Sequence, residues 1–295
     1  MKVTLYAQKL KNLHPWLYKL GAQAWIDYKF PRHLFIETTA ACNLRCDYCP
    51  RTRINNHMDF DVFRAIIDES SRYGARSFSL HLFGEPFLYP KIFEAIHYIK
   101  EKNRKHTILL TTNGTLVERY LDRIIDSGID KLIWSWRPET KFSKETKERL
   151  TKWGRLTVRM IKGVTPQNAF EEWGNHPGLE IRELHNYGGD ISLEKFGVSS
   201  TAGKRWPCYH LWYAPAVSWN GDLLICCSDP HKKEVLGNIR DMTISDAWQK
   251  LSKIRESHLK GRFEGICKGC DVWKSYPPHH FSWQYTTSSS SENSI

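Results

Sequence analysis

The chain has 295 residues, room for one large domain or for a domain of about 200 residues with a smaller companion, and 41% hydrophobic and 13% aromatic residues suffice for a packed core. No stretch reaches the ~18 apolar residues of a membrane helix, and the first residues lack the apolar run and cleavage site of a secretory signal, so no membrane span and a cytoplasmic setting are expected. The formal charge of +11 favours anionic ligands, but no aromatic–basic ribonucleoprotein pattern accompanies it, so nucleic acid is not the expected partner.

In chain order, residues 1–32 carry apolar positions such as Leu5, Leu10, Leu13, Trp16 and Leu17 among lysines, the periodicity of a helical segment covering one edge of the fold. From residue 33, short apolar runs recur at 33–38, 77–83, 107–112, 131–136, 156–161 and 179–184. Helical patterns lie between them at 61–69, 90–99, 117–126, 143–153 and 168–174. Strands alternating with helices imply a parallel sheet with right-handed crossovers. Six units rather than eight predict an α/β fold, a partial (β/α)6 TIM-type barrel over 33–190, with its chemistry at the C-terminal strand ends. Residues 191–204 have the serine and glycine content of a linker. Residues 205–280 hold five of the eight cysteines, turn signals and a helical pattern at 244–259, and form a small second domain. Residues 281–295 are low in apolar content and expected to be a disordered tail.

Eight cysteines without a secretory signal, at CxxxCxxC and CxxC spacings, point to metal or cluster binding rather than to disulfides. Cys42, Cys46 and Cys49 follow the first strand. Three thiolates are one short of a closed tetrahedral zinc site or a fully ligated cubane, and a cluster so held keeps one iron open; a zinc knuckle is the alternative. Arg45, Arg51 and Arg53 are candidates to neutralise charge there. The second strand ends in Gly84-Glu85-Pro86, where a glycine permits close backbone approach and a carboxylate can accept from an ammonium group, although Gly-x-Pro is also an ordinary turn. The third ends in Asn113-Gly114, a pair that is usually just a turn. Arg159 in the fifth strand is a candidate for the carboxylate of a cofactor, with an outward-facing strand arginine as the commoner case. Cys208, Cys226, Cys267 and Cys270 would close a single cluster with no open iron, or a zinc ribbon. The adjacent Cys226 and Cys227 cannot easily both bind one closed cluster, so one is left over. His279 and His280 look like a metal pair but fit a solvated tail.

The octapeptide Cys42-Asn43-Leu44-Arg45-Cys46-Asp47-Tyr48-Cys49, with Tyr48 before the third cysteine and Pro50-Arg51 followed by Met58, resembles the signature of the radical S-adenosylmethionine (radical SAM) superfamily. Phe83-Gly84-Glu85-Pro86 resembles its GGEP motif, with Phe83 replacing the first glycine. Thr112-Asn113-Gly114-Thr115 resembles its third strand end. Ser135 matches a family strand from which Arg137 and Pro138 depart. Cys208, Gly221, Cys226 and the Cys267-x-x-Cys270 pair resemble a SPASM-type domain, truncated because no cysteine follows Cys270, and the Gly221 spacing favours Cys226 over Cys227 as the ligand.

This resemblance implies S-adenosylmethionine and two [4Fe–4S] clusters as cofactors, one cluster on Cys42, Cys46 and Cys49 and an auxiliary one on Cys208, Cys226, Cys267 and Cys270. It implies a cofactor pocket with Tyr48, Gly84, Glu85, Pro86, Asn113 and Ser135, in which Glu85 takes the methionyl amino group. The implied activity is reductive cleavage of S-adenosylmethionine to a 5′-deoxyadenosyl radical that abstracts hydrogen from a small polar substrate, such as a sugar or aminoglycoside. A flavodoxin- or ferredoxin-type donor would supply the electron. Dehydrogenation and epimerisation compete as outcomes. Cys227 would be the hydrogen donor of an epimerase, or else a small buried residue. Two other readings are a peptide-modifying maturase, whose usual leader-binding domain residues 1–32 look too short to form, and a non-catalytic iron–sulfur or zinc protein that binds nucleic acid.

Overall fold

A computed structural model describes residues 29–51, 54–198 and 205–275. The amphipathic pattern before residue 29, Arg53, the 199–204 part of the linker, His279, His280 and the tail lie outside these residues. Six parallel strands are hydrogen-bonded in chain order: β1 (His33–Ile36), β2 (Ser77–Ser79), β3 (Thr107–Thr112), β4 (Lys131–Ser135), β5 (Leu156–Ile161) and β6 (Leu179–Arg182). Side chains alternate across each strand. Leu34, Phe78, Ile108, Leu110, Leu132, Trp134, Val158 and Met160 enter the core between sheet and helices. The intervening His33, Ser77, Ser135, Arg159 and Glu180 therefore face the inside of the curved sheet.

The outer layer is α1 (Phe60–Ser71), α2 (Ile92–Lys102), α3 (Leu121–Asp126), α4 (Lys144–Trp153) and α5 (Gln167–Trp173). Asp59 caps α1 by accepting from the Asp61 and Val62 amides, and the Val62, Phe63, Ile66, Ile67 stripe is buried. Ser143 caps α4, and Gly154 ends it in a left-handed conformation. Three local differences from the sequence pattern have physical reasons. Pro90 stands outside α2, because the chain first turns at Lys91. Residues 117–126 split into a 3-10 turn (Glu118–Tyr120) and α3. β2 is three residues long, since 80–83 leave the sheet to bring Gly84 against the loop after β1.

The second region extends the same sheet, which the cysteine-rich sequence did not foretell. After the short helix α6 (His210–Tyr213), β7 (Ala216–Val217) pairs in parallel with β1, and β8 (Asp222–Leu224) and β9 (Val235–Asn238) follow antiparallel. The order is β6-β5-β4-β3-β2-β1-β7-β8-β9. Val217, Leu223, Ile244 and Ala247 join the barrel's core. The 244–259 pattern is two helices, α7 (Ile244–Lys250) and α8 (Ser252–Leu259), meeting at the buried Leu251. At the break the Trp248 carbonyl accepts from Arg255 Nη1 at 3.1 Å. Glu69 of α1 accepts from the Ile244 and Ser245 amides at 2.9 and 3.0 Å, fastening α7 to the barrel. Within the expected linker, residues 193–196 form a 3-10 turn with Leu193 buried. No helix among the described residues is long and apolar enough to cross a membrane.

Candidate active site

The C-terminal ends of β1, β2 and β3 meet through direct hydrogen bonds. The chain leaving β1 carries Cys42, Cys46 and Cys49, all half-buried, and the Cys49 amide donates to the Cys46 carbonyl at 3.0 Å. Burial raises the Cys49 thiol, with Cys46 and Cys42 acting in the same direction and Arg51 against it. Gly84 packs so closely here that a Cβ would stand 2.0 Å from the Thr39 carbonyl oxygen. The Glu85 amide donates to the Ala41 carbonyl at 2.7 Å. Three half-buried soft thiols on one loop, braced where only a glycine fits, suit a three-cysteine cluster.

Glu85 is 2% exposed, and Pro86 opens a buried 3-10 turn behind it. Its carboxylate accepts from Thr112 Oγ1 and from the Asn113 amide, both at 2.7 Å, and from the Phe87 amide at 3.3 Å. Burial pushes this carboxyl up to about 7 against those bonds and the nearby Arg137 charge. Asn113 Nδ2 donates to Asn43 Oδ1 at 2.8 Å and lies 4.0 Å from Cys42 Sγ, while Asn43 Nδ2 donates to Thr115 Oγ1 at 2.8 Å. Asn43 and Thr115 were not singled out in the sequence, though both stand inside its motifs. Gly114 has φ +88°, and a Cβ there would meet Trp134 Nε1 at 2.5 Å. Arg137, the departure from the family strand, lies with its guanidinium 4.9 Å from the centre of the Tyr48 ring, so it brings positive charge to the cysteine loop. Arg51 Nη1 donates to the Phe83 carbonyl at 2.9 Å, tying the two loops together.

Cys208, Cys226, Cys267 and Cys270 line one pocket with about 390 Å³ of empty space, counting the part open to solvent. Among the described residues no three Cys, His, Asp or Glu side chains are placed to hold a single metal ion. Four thiols spread around a pocket fit the corners of a cluster better than the single point of a zinc ribbon. The Ser228 amide donates to Cys226 Sγ at 3.3 Å, and Arg205 Nη2 donates to the Cys267 carbonyl at 2.6 Å. The pocket is joined to the end of β6: the Asn186 amide donates to Asp271 at 2.9 Å, and Asn186 Nδ2 donates to the Gly269 carbonyl at 2.7 Å. Cys227 does not line this pocket; its sulfur lies 3.8 Å from His210 Nδ1.

Ser135 is buried at the end of β4, beside Arg159 in the register. Arg159 faces inward, correcting the outward alternative, because Val158 and Met160 on either side of it enter the outer core. Its Nε donates to Glu180 at 2.9 Å, and Arg182 Nε donates to the other oxygen of the same carboxylate at 2.8 Å. Burial alone would raise Glu180, but the two guanidinium groups bring it down to about 2. Nearby His33, His81 and His210 are neutral imidazoles, since burial lowers all three, His33 to about 3 and His210 to about 4. This inward cluster, with its cations on β5 and β6, had no short motif to announce it.

Residues 36–133 match the family model described as the radical SAM superfamily, and residues 208–271 match SPASM, an iron–sulfur cluster-binding domain. The chain carries a radical SAM domain and a SPASM-type C-terminal domain. The two models imply S-adenosylmethionine and [4Fe–4S] clusters as its cofactors. The S-adenosyl-L-methionine-dependent 2-deoxy-scyllo-inosamine dehydrogenase of Niallia circulans is 24% identical over 248 residues, 80% of this chain and 91% of that protein. A probable GTP 3′,8-cyclase of Methanococcus maripaludis is 35% identical over 105 residues, 34% of this chain; the match spans about a third (35%) of the cyclase's length. The crystal structure of BtrN in complex with AdoMet and 2-DOIA has the same fold, with a TM-score of 0.61 and 23% identity over 82% of this chain and 94% of that one.

Proposed function

We propose that this protein is a radical SAM enzyme that abstracts a hydrogen atom from a small polar substrate held inside the barrel and oxidises it. The observation that carries the reading is the hydrogen-bonded junction of the three-cysteine loop with Glu85 and Asn113 at neighbouring strand ends. When bound, a cluster on Cys42, Cys46 and Cys49 together with S-adenosylmethionine supplies hydrogen-atom abstraction from an unactivated C–H bond, and a second cluster supplies an electron acceptor. The chain's own residues hold and orient. Glu85 stands where its carboxylate can take an ammonium group, Asn113 and Asn43 fix the rim beside Cys42, and Tyr48 under Arg137 closes one side. Ser135 and Arg159 are the inward groups next along the sheet, on the path between cofactor and substrate.

Dehydrogenation is the favoured outcome, supported by the likeness to an aminocyclitol dehydrogenase along most of both chains. Epimerisation is the second reading, favoured by Cys227, which is not among the residues lining the auxiliary pocket and whose sulfur lies 3.8 Å from His210 Nδ1. All eight cysteines are free, which suits a reducing, cytoplasmic setting and an electron donor of the flavodoxin or ferredoxin type. The test is anaerobic cluster reconstitution, reduction with dithionite and detection of 5′-deoxyadenosine. About eight irons per chain with cofactor cleavage are expected; bound zinc and no cleavage would refute the reading. Solvent deuterium in an inverted product, lost in Cys227→Ala with both clusters intact, would select epimerisation.

A further inference from the structure

β2 ends at Ser79, and the pairing it gives up with β3 is continued by a side chain. The Leu80 amide still donates to the Leu109 carbonyl at 3.0 Å. Two residues further along β3, the Thr111 amide donates to His81 Nδ1 at 3.1 Å. A backbone N–H can only donate, so Nδ1 carries the lone pair and the proton of the neutral imidazole stands on Nε2. Burial holds the ring in that neutral form. Phe78 and Leu80 enter the outer core, so His81 follows Ser77 and Ser79 on the inward face. Among the described residues nothing accepts from Nε2. The adjoining Thr111 hydroxyl is sealed and makes no hydrogen bond, and the Phe35 ring stands edge-on with its centroid 5.8 Å away. His81 itself is half-buried and its Nε2 is not sealed, so this N–H opens on the interior of the barrel.

Its level in the barrel matters as much as its direction. The Asn113 amide, two residues beyond Thr111, donates to Glu85 at 2.7 Å, a second link between the same two strand ends. Two residues of strand span about 6–7 Å, so His81 stands roughly one small ring's breadth below the Glu85 carboxylate. Lower still, in register with Ser77 and Ser79, are His33 and Phe35 of β1. There α6 closes the interior: His33 stacks on Tyr213 with centroids 5.3 Å apart, and Phe35 lies against His210 at 6.3 Å. Between this aromatic floor and the cofactor residues at the strand ends, His81 is a wall group with an unused donor.

We infer that His81 contacts the substrate, its Nε2–H donating a hydrogen bond to a hydroxyl or carbonyl oxygen of a hydroxylated ring. The inference rests on the proposed function for the location of the substrate. A fixed donor suits an alcohol that becomes a carbonyl, because the oxygen accepts in both forms. The same clamp keeps His81 from acting as a base. Protonation at Nε2 would need the ring proton to pass to Nδ1, where it would oppose the Thr111 N–H.

Imidazole nitrogen NMR of the histidine-labelled, reconstituted and oxidised protein, with S-adenosylmethionine present, tests this with myo-inositol, glucose and glucosamine as probes. The His81 signals are assigned by their loss in His81→Asn. They should show the Nε2–H tautomer, and at least one probe should shift Nε2 saturably. His81→Asn puts an oxygen near the place of Nδ1, so the Thr111 amide keeps its acceptor, but nothing stands at Nε2. It should bind that probe about five- to tenfold less tightly with an unchanged urea midpoint, whereas a merely structural role would be rescued. His81→Gln, with an amide nitrogen near the place of Nε2, should recover part of the affinity. Iron content and far-ultraviolet circular dichroism establish that each variant is folded. If His81→Asn does not assemble, His81→Gln supplies the assignment and the shift in the unaltered protein decides. An Nδ1–H tautomer, no probe moving Nε2, or a probe bound as tightly by His81→Asn as by the unaltered protein would overturn the inference. Formation of 5′-deoxyadenosine without added substrate is scored separately, so failure of the proposed function is distinguishable from failure of the His81 contact.

Discussion

Glu85 is the side chain on which the strand ends depend. Its two oxygens satisfy the Thr112 hydroxyl and the Asn113 amide, and Glu85→Ala leaves both donors buried and unpaired, a loss of about 1–3 kcal/mol. Glu85→Gln keeps the volume but presents an amide where two donors need acceptors. Formation of 5′-deoxyadenosine is expected to fall about 10- to 100-fold in Glu85→Gln, the equivalent of one charge-assisted hydrogen bond; unchanged formation would remove Glu85 from the cofactor site. Gly114→Ala has no room at Trp134 and a φ of +88°, so urea unfolding should show a loss of about 2 kcal/mol or more. At this scale Gly84, Glu85 and Asn113 were legible because short motifs carry them. Arg137 looked like a departure because its role depends on stacking over Tyr48 from another loop. The direction of Arg159 needed the register and the core on the other face.

Among the elements, β5 and β6 are joined by the Arg159–Glu180–Arg182 cluster, and its sign in acid can be worked out. Glu180 has its folded pKa lowered to about 2 from an ordinary 4.5, so its contribution is present above pH 4.5 and is lost as the pH falls toward 2. Urea midpoints measured from pH 6 to pH 3 should fall less steeply in Glu180→Gln than in the unaltered protein; parallel curves would show that the carboxylate contributes nothing. Glu69→Ala should cost about 1 kcal/mol by uncapping α7, read by the same titration. β3 and β5 were read correctly to the residue because apolar runs and turn signals coincide there. β2 was read too long because its apolar run continues into the loop. The β7–β8 hairpin escaped notice: its strands are two and three residues long, and the Asn220-Gly221 turn between them was the one available signal.

For the whole molecule, the continuous nine-stranded sheet makes the second region a lateral extension of the barrel, with the Asn186–Asp271 clamp placing its pocket beside the interior. The two cluster sites are nevertheless built from separate loops. Replacing Cys42, Cys46 and Cys49 together by Ala should leave about four irons per chain and a folded second region. Replacing Cys267 and Cys270 should remove the other four and loosen the contact with β6. No sequence pattern could show that continuity, because the pairing of β7 with β1 joins residues about 180 positions apart. The most direct test of the whole reading is 5′-deoxyadenosine formation by the anaerobically reconstituted, dithionite-reduced protein. Cleavage that disappears when Cys42, Cys46 and Cys49 are replaced is the expected result; a protein with both clusters assembled that binds S-adenosylmethionine and leaves it uncleaved would contradict it.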